Sequence, residues 1–428
     1  MNGDNDLAQE VLHTLDMMET VGSSDVVNVI ALVDGHPRWL GPYDAAWGRT
    51  RLVRLQPDPD IGLIRSPVLE EWGETNLGDP QTLERFVRAA LERYPAQRYL
   101  FYTFAHGQGV IDTRDYALPR LSKTLSLSRD DTSGAKMTVQ QFHLALKQGL
   151  QGRRFDLAVL FSCLANMVEV GYTLTDVTDY LVGSQDEIRL VNQPPGRYQI
   201  RGLRFEQLIA GLQQKPGAGI QELGRALVDS HVEDYEQEVT LAQGDGSKQV
   251  CRFSGDMTLV DTAAMPLLVH ALDDLALQLI SRRQDHAVVQ AVQTALSATA
   301  PFASFLNLEY YDLKGFVRHL RAGIRDPVLA GTCSRVLDIL AGRVVVYTRQ
   351  APDRTATGMS IYLPHPLVPD NIFKTHQALY QANRFSRDTH WDEMIDLYRP
   401  RLKSALAAGS TAPSAMKKGR DLSNGSRP

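Results

Sequence analysis

The sequence predicts an α/β fold, a mainly parallel sheet covered by helices, and three observations carry that prediction. Three short apolar runs, VVNVIALV at 26–33, YLFYTFA at 99–105 and DLAVLF at 156–161, lack the polar alternation of a half-exposed strand. Such runs belong to strands buried on both faces. Segments of helical period separate them, and strand–helix–strand alternation is the pattern of a parallel sheet with covering helices. The second and third runs end in residues that carry chemistry, His106-Gly107 and Ser162-Cys163. In open parallel sheets, ligands bind at the carboxyl ends of strands.

The elements follow in order. Pro80 to Tyr94 places Leu83, Phe86, Val87, Ala90 and Leu91 on one helical face. The stretch from Gln108 to Lys136 is polar, rich in Ser, Asp, Thr and Gly, and reads as a lid or processing loop. Helical spacing is expected over Thr138–Leu150 and again over Leu164–Val177, with a strand near Tyr180–Gly183. Further helices are expected over Asp261–Ser281, His286–Thr299, Asp312–Gly323 and Pro327–Ala341. Two late strands, 343–347 and 358–363, are expected to complete or extend the sheet. This divides the chain into a catalytic core over 1–200, a mostly helical region over 201–406 and a disordered tail over 407–428.

Composition narrows the function. The 428 residues carry 45 basic and 50 acidic side chains, a net charge of −5, with no basic run before the tail. That balance predicts neither nucleic-acid binding nor a polybasic membrane contact. No stretch approaches the ~18 consecutive apolar residues of a membrane span. Three cysteines, Cys163, Cys251 and Cys333, are too few for a disulfide framework and show no zinc spacing. No signal peptide is visible and the compartment stays open. The opening Asn2-Gly3-Asp4-Asn5-Asp6-Leu7 reads as a turn with no element before it, so a first strand and any export signal are expected upstream of Met1.

Peptide cleavage by a thiol needs a thiolate, a proton carrier and donors for the developing oxyanion. Cys163 stands after a strand and before a helical segment whose dipole would favour the thiolate. His106, at the end of a separate strand, can protonate the departing amine. Gly107 offers an amide without a side chain beside the reacting carbonyl, and the Cys163 amide is the second oxyanion candidate. Each residue also has a bland reading, since cysteines after buried strands are commonly core residues. Ser162 lacks the GxSxG elbow of an α/β-hydrolase, no phosphate-binding glycine loop follows a strand, and Cys251 and Cys333 read as structural.

Several segments in order resemble the clostripain family of cysteine peptidases, which are related to caspases and gingipains. They are MNGDNDL, METVGSSDVVNVIALVD, ETNLGDPQTLERFV, YLFYTFAHGQG, DLAVLFSCLANMVEVGYTLTDVTDYLVGSQD, YYDLKGF and GMSIYLP, reaching to about Trp391. The resemblance implies a caspase-like α/β/α sandwich and a Cys-His dyad, falling here on Cys163 and His106. His106 precedes Cys163 by a little more than the ~50 residues typical of caspases.

Three departures mark the chain. Relatives typically carry Asp two residues before the nucleophile, giving preference for Arg or Lys before the cut; here Phe161 stands there, so that preference does not carry over. Phe161, Ser184 and Asp186 are the substrate-pocket candidates, with Glu187 as a further source of negative charge. Relatives also carry a strand just before the GDNDL segment. Finally, Pro194-Pro195-Gly196-Arg197-Tyr198 replaces a common Gly-Trp pair, leaving Tyr198 as a cleft candidate.

Activating cleavage within 108–136, at Arg114, Arg120, Lys123, Arg129 or Lys136, is implied only where basic residues are accepted. The chemistry requires no metal or other cofactor. Some relatives are activated by Ca2+, but neither Asp4/Asp6 nor Asp130/Asp131 has a recognisable binding-loop spacing. The implied partner is a peptide or protein substrate, with no nucleic acid and no membrane, and oligomeric state is open. The competing class is a catalytically silent caspase-like module used for binding or regulation.

Overall fold

A computed structural model describes residues 1–111, 128–188, 204–236, 239–242, 248–251, 255–302, 309–351 and 355–408. The strands are β1 (Asn2–Gly3), β2 (Ile30–Gly35), β3 (Thr50–Arg54), β4 (Val68–Gly73), β5 (Leu100–Phe104), β6 (Ser128–Arg129), β7 (Lys136–Met137) and β8 (Phe155–Phe161). They continue with β9 (Thr178–Gly183), β10 (Val239–Ala242), β11 (Lys248–Cys251), β12 (Asp256–Asp261), β13 (Tyr310–Asp312), β14 (Val345–Gln350) and β15 (Ser360–Tyr362). The α-helices in the first half are α1 (Ala8–Glu19), α2 (Pro80–Arg93), α3 (Val139–Leu150), α4 (Val168–Thr173), α5 (Phe205–Gln214) and α6 (Ile220–Glu236). The second half adds α7 (Met265–Ser281), α8 (His286–Ala298), α9 (Leu313–Gly323), α10 (Pro327–Ile339), α11 (Asp370–Tyr380), α12 (Arg384–Asp388) and α13 (Trp391–Ala408).

The central sheet runs in the order β14-β12-β9-β8-β5. Its strands β5, β8 and β9 are parallel, while β12 and then β14 are added antiparallel. A second sheet, β1-β2-β3-β4, contains a parallel β1–β2 pair and antiparallel partners beyond it.

β8 shows why its sequence is an unbroken apolar run. Leu157, Val159 and Phe161 face one core with Leu12 of α1, Leu208 of α5 and Leu227 of α6. Ala158 and Leu160 face the other core, with Val87 of α2, Phe142 of α3, Val168 of α4 and Leu268 of α7. Helices on both faces of a strand remove water from both, and the alternation disappears. This is an α/β/α sandwich, and β5, β8 and β9 lie where strands were expected. The first apolar run does not join them: β2 begins only at Ile30, belongs to the second sheet, and leaves Val26 61% exposed.

Local chemistry fixes the helix starts. The Asp79 carboxylate accepts the Gln81 N–H, with Pro80 in the first turn of α2. Thr138 and Gln141 form a reciprocal capping box at α3. The carboxylates of Asp285, Asp312 and Asp326 accept main-chain N–H groups in the first turns of α8, α9 and α10.

The structure corrects four further expectations. The helix expected over Leu164–Val177 is confined to α4, because residues 162–167 turn away from β8 before any helix begins. The late strand expected over 358–363 does not join the central sheet; β15 pairs with β13 instead, whereas β14 does extend it. β12 was not expected at all, although it lies between β9 and β14 and carries the sheet into the second region. Asn2–Gly3, read as a turn, pairs with Asp34 and Gly35 as a strand. Much of the 108–136 segment and all of 409–428 lie outside the described residues, as do Arg114, Arg120, Lys123 and Tyr198. Among the described residues, Thr262–Ser281 alone is long and apolar enough to cross a membrane, and half of that stretch is buried in the core.

Candidate active site

Parallel pairing between β5 and β8 sets the site. The ladder runs Leu100↔Leu157 to Phe104↔Phe161, and the Ala105 N–H reaches the Phe161 carbonyl at 3.4 Å. His106 and Cys163 therefore each follow the last registered pair by two residues, on adjacent strands and at the same carboxyl end. A Cβ on Gly107 would lie 2.4 Å from the Cys163 carbonyl oxygen and 2.7 Å from the Ser162 Cβ. No side chain fits at that approach, so the glycine is what lets the two strand ends close on one another. Cys163 is only partly buried, and the His106 side chain is 20% exposed. Neither candidate side chain is sealed in the core.

The Cys163 sulfur is held from the far side by the segment that follows β9. The Ile188 N–H points at Sγ from 3.3 Å, and the Sγ–H can donate to the Ile188 carbonyl at 3.8 Å. This N–H takes the place expected of a helix N-terminus, since α4 begins only at Val168 and spans six residues. Between them, Leu164 adopts φ +56°, a left-handed conformation costing a non-glycine residue about 1 kcal/mol. Its N–H donates to the Asp186 carbonyl at 3.1 Å, and the Asn166 N–H donates to Ser184 O at 2.9 Å. Those two bonds pin the turn that presents the sulfur.

His106 has a partner the sequence reading did not assign. Its Nε2 lies 2.7 Å from Asp6 Oδ1, and that contact is the main reason the Asp6 carboxyl drops to about 2. Asp6 sits in the turn between β1 and α1, so the pairing of β1 with β2 brings it to the sheet end. Beyond Gly107, the Tyr310 hydroxyl donates toward the carbonyls of Gln108 (3.0 Å) and Ile111 (2.7 Å) and accepts the Ile111 N–H at 2.7 Å. Val110 and Ile111 are fully buried, so the expected loop starts as an anchored, apolar segment.

The three pocket candidates are buried. Phe161 is 2% exposed, its ring set edge-on to Phe104 at 4.9 Å and to His231 at 6.0 Å. Ser184 and Asp186 are also buried, while Glu187 is half-buried. The structure brings Ser184 and Asp186 to the back of the Cys163 turn through their main chain. Asp4 accepts from Thr132 and Asp130 from Leu77 and Ser133, so both carboxylates serve internal bonds. Ser162 is 3% exposed and Cys333 is fully buried, its thiol pushed up to about 11 by desolvation. Neither is presented for reaction, and the Cys251 side chain lies outside the described residues.

The chain matches the Clostripain family, peptidase family C11, over residues 1–398. It belongs to the clostripain family. Clostripain of Hathewaya histolytica is 28% identical over 186 residues, covering 40% of this chain and 34% of that protein. The matched part thus spans about a third of that relative's length. Among solved structures, a secreted C11 cysteine protease from Bacteroides thetaiotaomicron bound to an irreversible peptide inhibitor superposes with a TM-score of 0.61 at 18% identity. That match covers 92% of this chain and 97% of the other. An inactive zymogen C11 protease from Parabacteroides distasonis gives 0.60 at 16% identity, over 90% and 95% of the two chains. The caspase-like sandwich is therefore the architecture of this clostripain-family chain.

Proposed function

We propose that this protein is a cysteine endopeptidase acting on peptide or protein substrates, with Cys163 as nucleophile and His106 as its proton carrier. The observation that carries the reading is the β5–β8 register, which sets the two residues equally far past the Phe104–Phe161 pair at one sheet end. The Cys163 thiol attacks the scissile carbonyl and its proton passes to His106. His106 then protonates the leaving amine, and water releases the acyl-enzyme. The N–H groups of Gly107 and Cys163 supply the oxyanion donors. Asp6 holds the imidazole through Nε2, leaving Nδ1 for the reacting proton, and its charge favours the imidazolium that forms.

The buried Phe161 leaves no acidic group two residues before the nucleophile to bind a cation. A preference for Arg or Lys therefore does not follow for this chain.

The test uses the full chain. An acyloxymethyl ketone probe should label the wild type and fail on Cys163→Ala, and a peptide panel varied before the cut should be hydrolysed only by the wild type. Identical behaviour of the two proteins in both assays would overturn the peptidase reading and leave a binding module of the same fold.

A further inference from the structure

β12 begins with a buried carboxylate that the proposed reaction does not use. Asp256 has no exposed surface, and isolating a carboxylate from water is costly unless donors replace the lost hydration. The donors here come from three consecutive residues. Asp256 Oδ1 accepts the Ser184 hydroxyl at 2.9 Å and the Asp186 N–H at 3.2 Å, while Oδ2 accepts the Gln185 N–H at 2.8 Å.

The same three residues form the back of the Cys163 turn. The Asp186 carbonyl holds the Leu164 N–H, and the Ser184 carbonyl holds the Asn166 N–H. Two residues after Asp186, the Ile188 N–H faces the sulfur. Leu164 is one of two described non-glycine residues at positive φ, and it immediately follows the nucleophile. A strained conformation persists where surrounding bonds over-determine it, and the Asp186 carbonyl is that bond. The chain of contacts runs from carboxylate to segment 184–188, and from there to both the backbone just after Cys163 and its sulfur.

We propose that Asp256 is a positioning residue for the nucleophile. It clamps segment 184–188 so that Asp186 O holds the Leu164 turn and Ile188 N–H meets Cys163 Sγ. The proposal rests on the cysteine-peptidase reading for its effect on rate, but the clamp itself is a statement about backbone order. Desolvation raises the Asp256 carboxyl to about 6, with neighbouring Asp186 adding to the rise. A site merely filling space would be served without a charge, whereas an acceptor of three hydrogen bonds needs both oxygens.

The experiment compares wild type, Asp256→Asn and Thr258→Val, measuring amide hydrogen exchange, iodoacetamide alkylation of Cys163 and peptide turnover. Asn keeps the shape but turns one acceptor into a donor facing an N–H. Thr258 lies on the same strand, is fully buried and bonds Thr348 across the sheet, so it controls for loss of a buried hydrogen bond. Asp256→Asn is expected to speed exchange at least tenfold in peptides covering 162–166 and 184–188, with 155–161 unchanged. It is expected to slow alkylation and to lower kcat about tenfold at unchanged KM. Thr258→Val is expected to leave those exchange rates and kcat at wild-type values.

Unchanged exchange over 184–188, or faster exchange with wild-type kcat, overturns the proposal. If Asp256→Asn does not fold, Ser184→Ala removes one of the three donors and decides the matter: the same changes, smaller, support the clamp, and wild-type exchange and kcat overturn it. A wild type that neither labels nor turns over would instead sink the peptidase reading, while exchange still reports on the clamp.

Discussion

Asp6 Oδ1 lies 2.7 Å from His106 Nε2, joining the turn after the first strand to the second residue past the fifth. The Asp6 side chain is 60% exposed, so solvent screens the pair and its contribution is that of an orienting contact. Asp6→Asn is expected to lower kcat about tenfold with little change in KM, below the 10²–10⁴ attributed to a whole acid–base group. The Asp6 carboxyl titrates at about 2, so the stabilisation it gives is present above the unfolded value near 3.8 and lost only as pH falls through about 2. The deficit in Asp6→Asn should therefore show no step from Asp6 between pH 5 and 9, and it should shrink in high salt. Equal kcat values for wild type and Asp6→Asn at low salt would remove Asp6 from the mechanism.

Gly107 is needed for space rather than for an unusual dihedral. With its Cβ position 2.4 Å from the Cys163 carbonyl oxygen, Gly107→Ala must push two strand ends apart. Displacing the Gly107 N–H, the proposed oxyanion donor, is expected to cost up to the roughly 10²–10³ in kcat of a lost donor, and overpacking about 1–3 kcal/mol of stability. Steady-state kinetics together with a melting curve check both expectations. An alanine variant with wild-type turnover would show that the close approach is not needed for the reaction.

How much of this was legible follows from the kind of signal each residue leaves. Burial on both faces makes β5 and β8 unbroken apolar runs, and a strand end is where their His and Cys become conspicuous. Residues 164–167 keep an apolar composition of helical spacing, yet the positive φ at Leu164 turns the chain before α4 starts. Nothing in composition marks that angle. Asp6, Ile188 and Asp256 act through contacts across 100, 25 and 70–72 residues of chain, and no local period encodes such pairings. In the sequence, Asp6 is marked only as one acidic residue of the opening segment. Ile188 contributes a main-chain N–H, which any residue type except proline would supply.

Glu169, in the first turn of α4, makes a separate prediction about stability. It is fully buried, its Oε1 accepting the Tyr362 N–H and the Tyr380 hydroxyl, both at 2.9 Å. Desolvation raises its carboxyl from 4.5 to about 7. The folded chain thus holds a proton there that the unfolded chain has lost, so this contribution is complete below pH 4.5 and disappears as pH rises through 7. The span corresponds to roughly 3 kcal/mol. Glu169→Gln mimics the protonated form, so its melting temperature relative to wild type should rise as pH goes from 4.5 to 8. A difference between the two proteins that does not vary with pH would contradict this.

Phe161 stands where relatives typically carry an aspartate, and the packing determines what restoring that residue would do. The ring is 2% exposed and meets Phe104, His231 and, at 6.4 Å, Tyr102. Removing a buried phenyl ring costs about 3–5 kcal/mol, and a carboxylate left there without donors adds its desolvation penalty. Phe161→Asp should therefore melt far below wild type and gain no cleavage after Arg or Lys. Phe161→Leu keeps most of the apolar volume, so it should lose only about 1–2 kcal/mol and retain turnover. Thermal melts and a peptide panel varied at the residue before the cut distinguish these outcomes. If Phe161→Asp folded with wild-type stability and acquired a basic-residue preference, the position would be a specificity pocket open to substrate rather than part of the core.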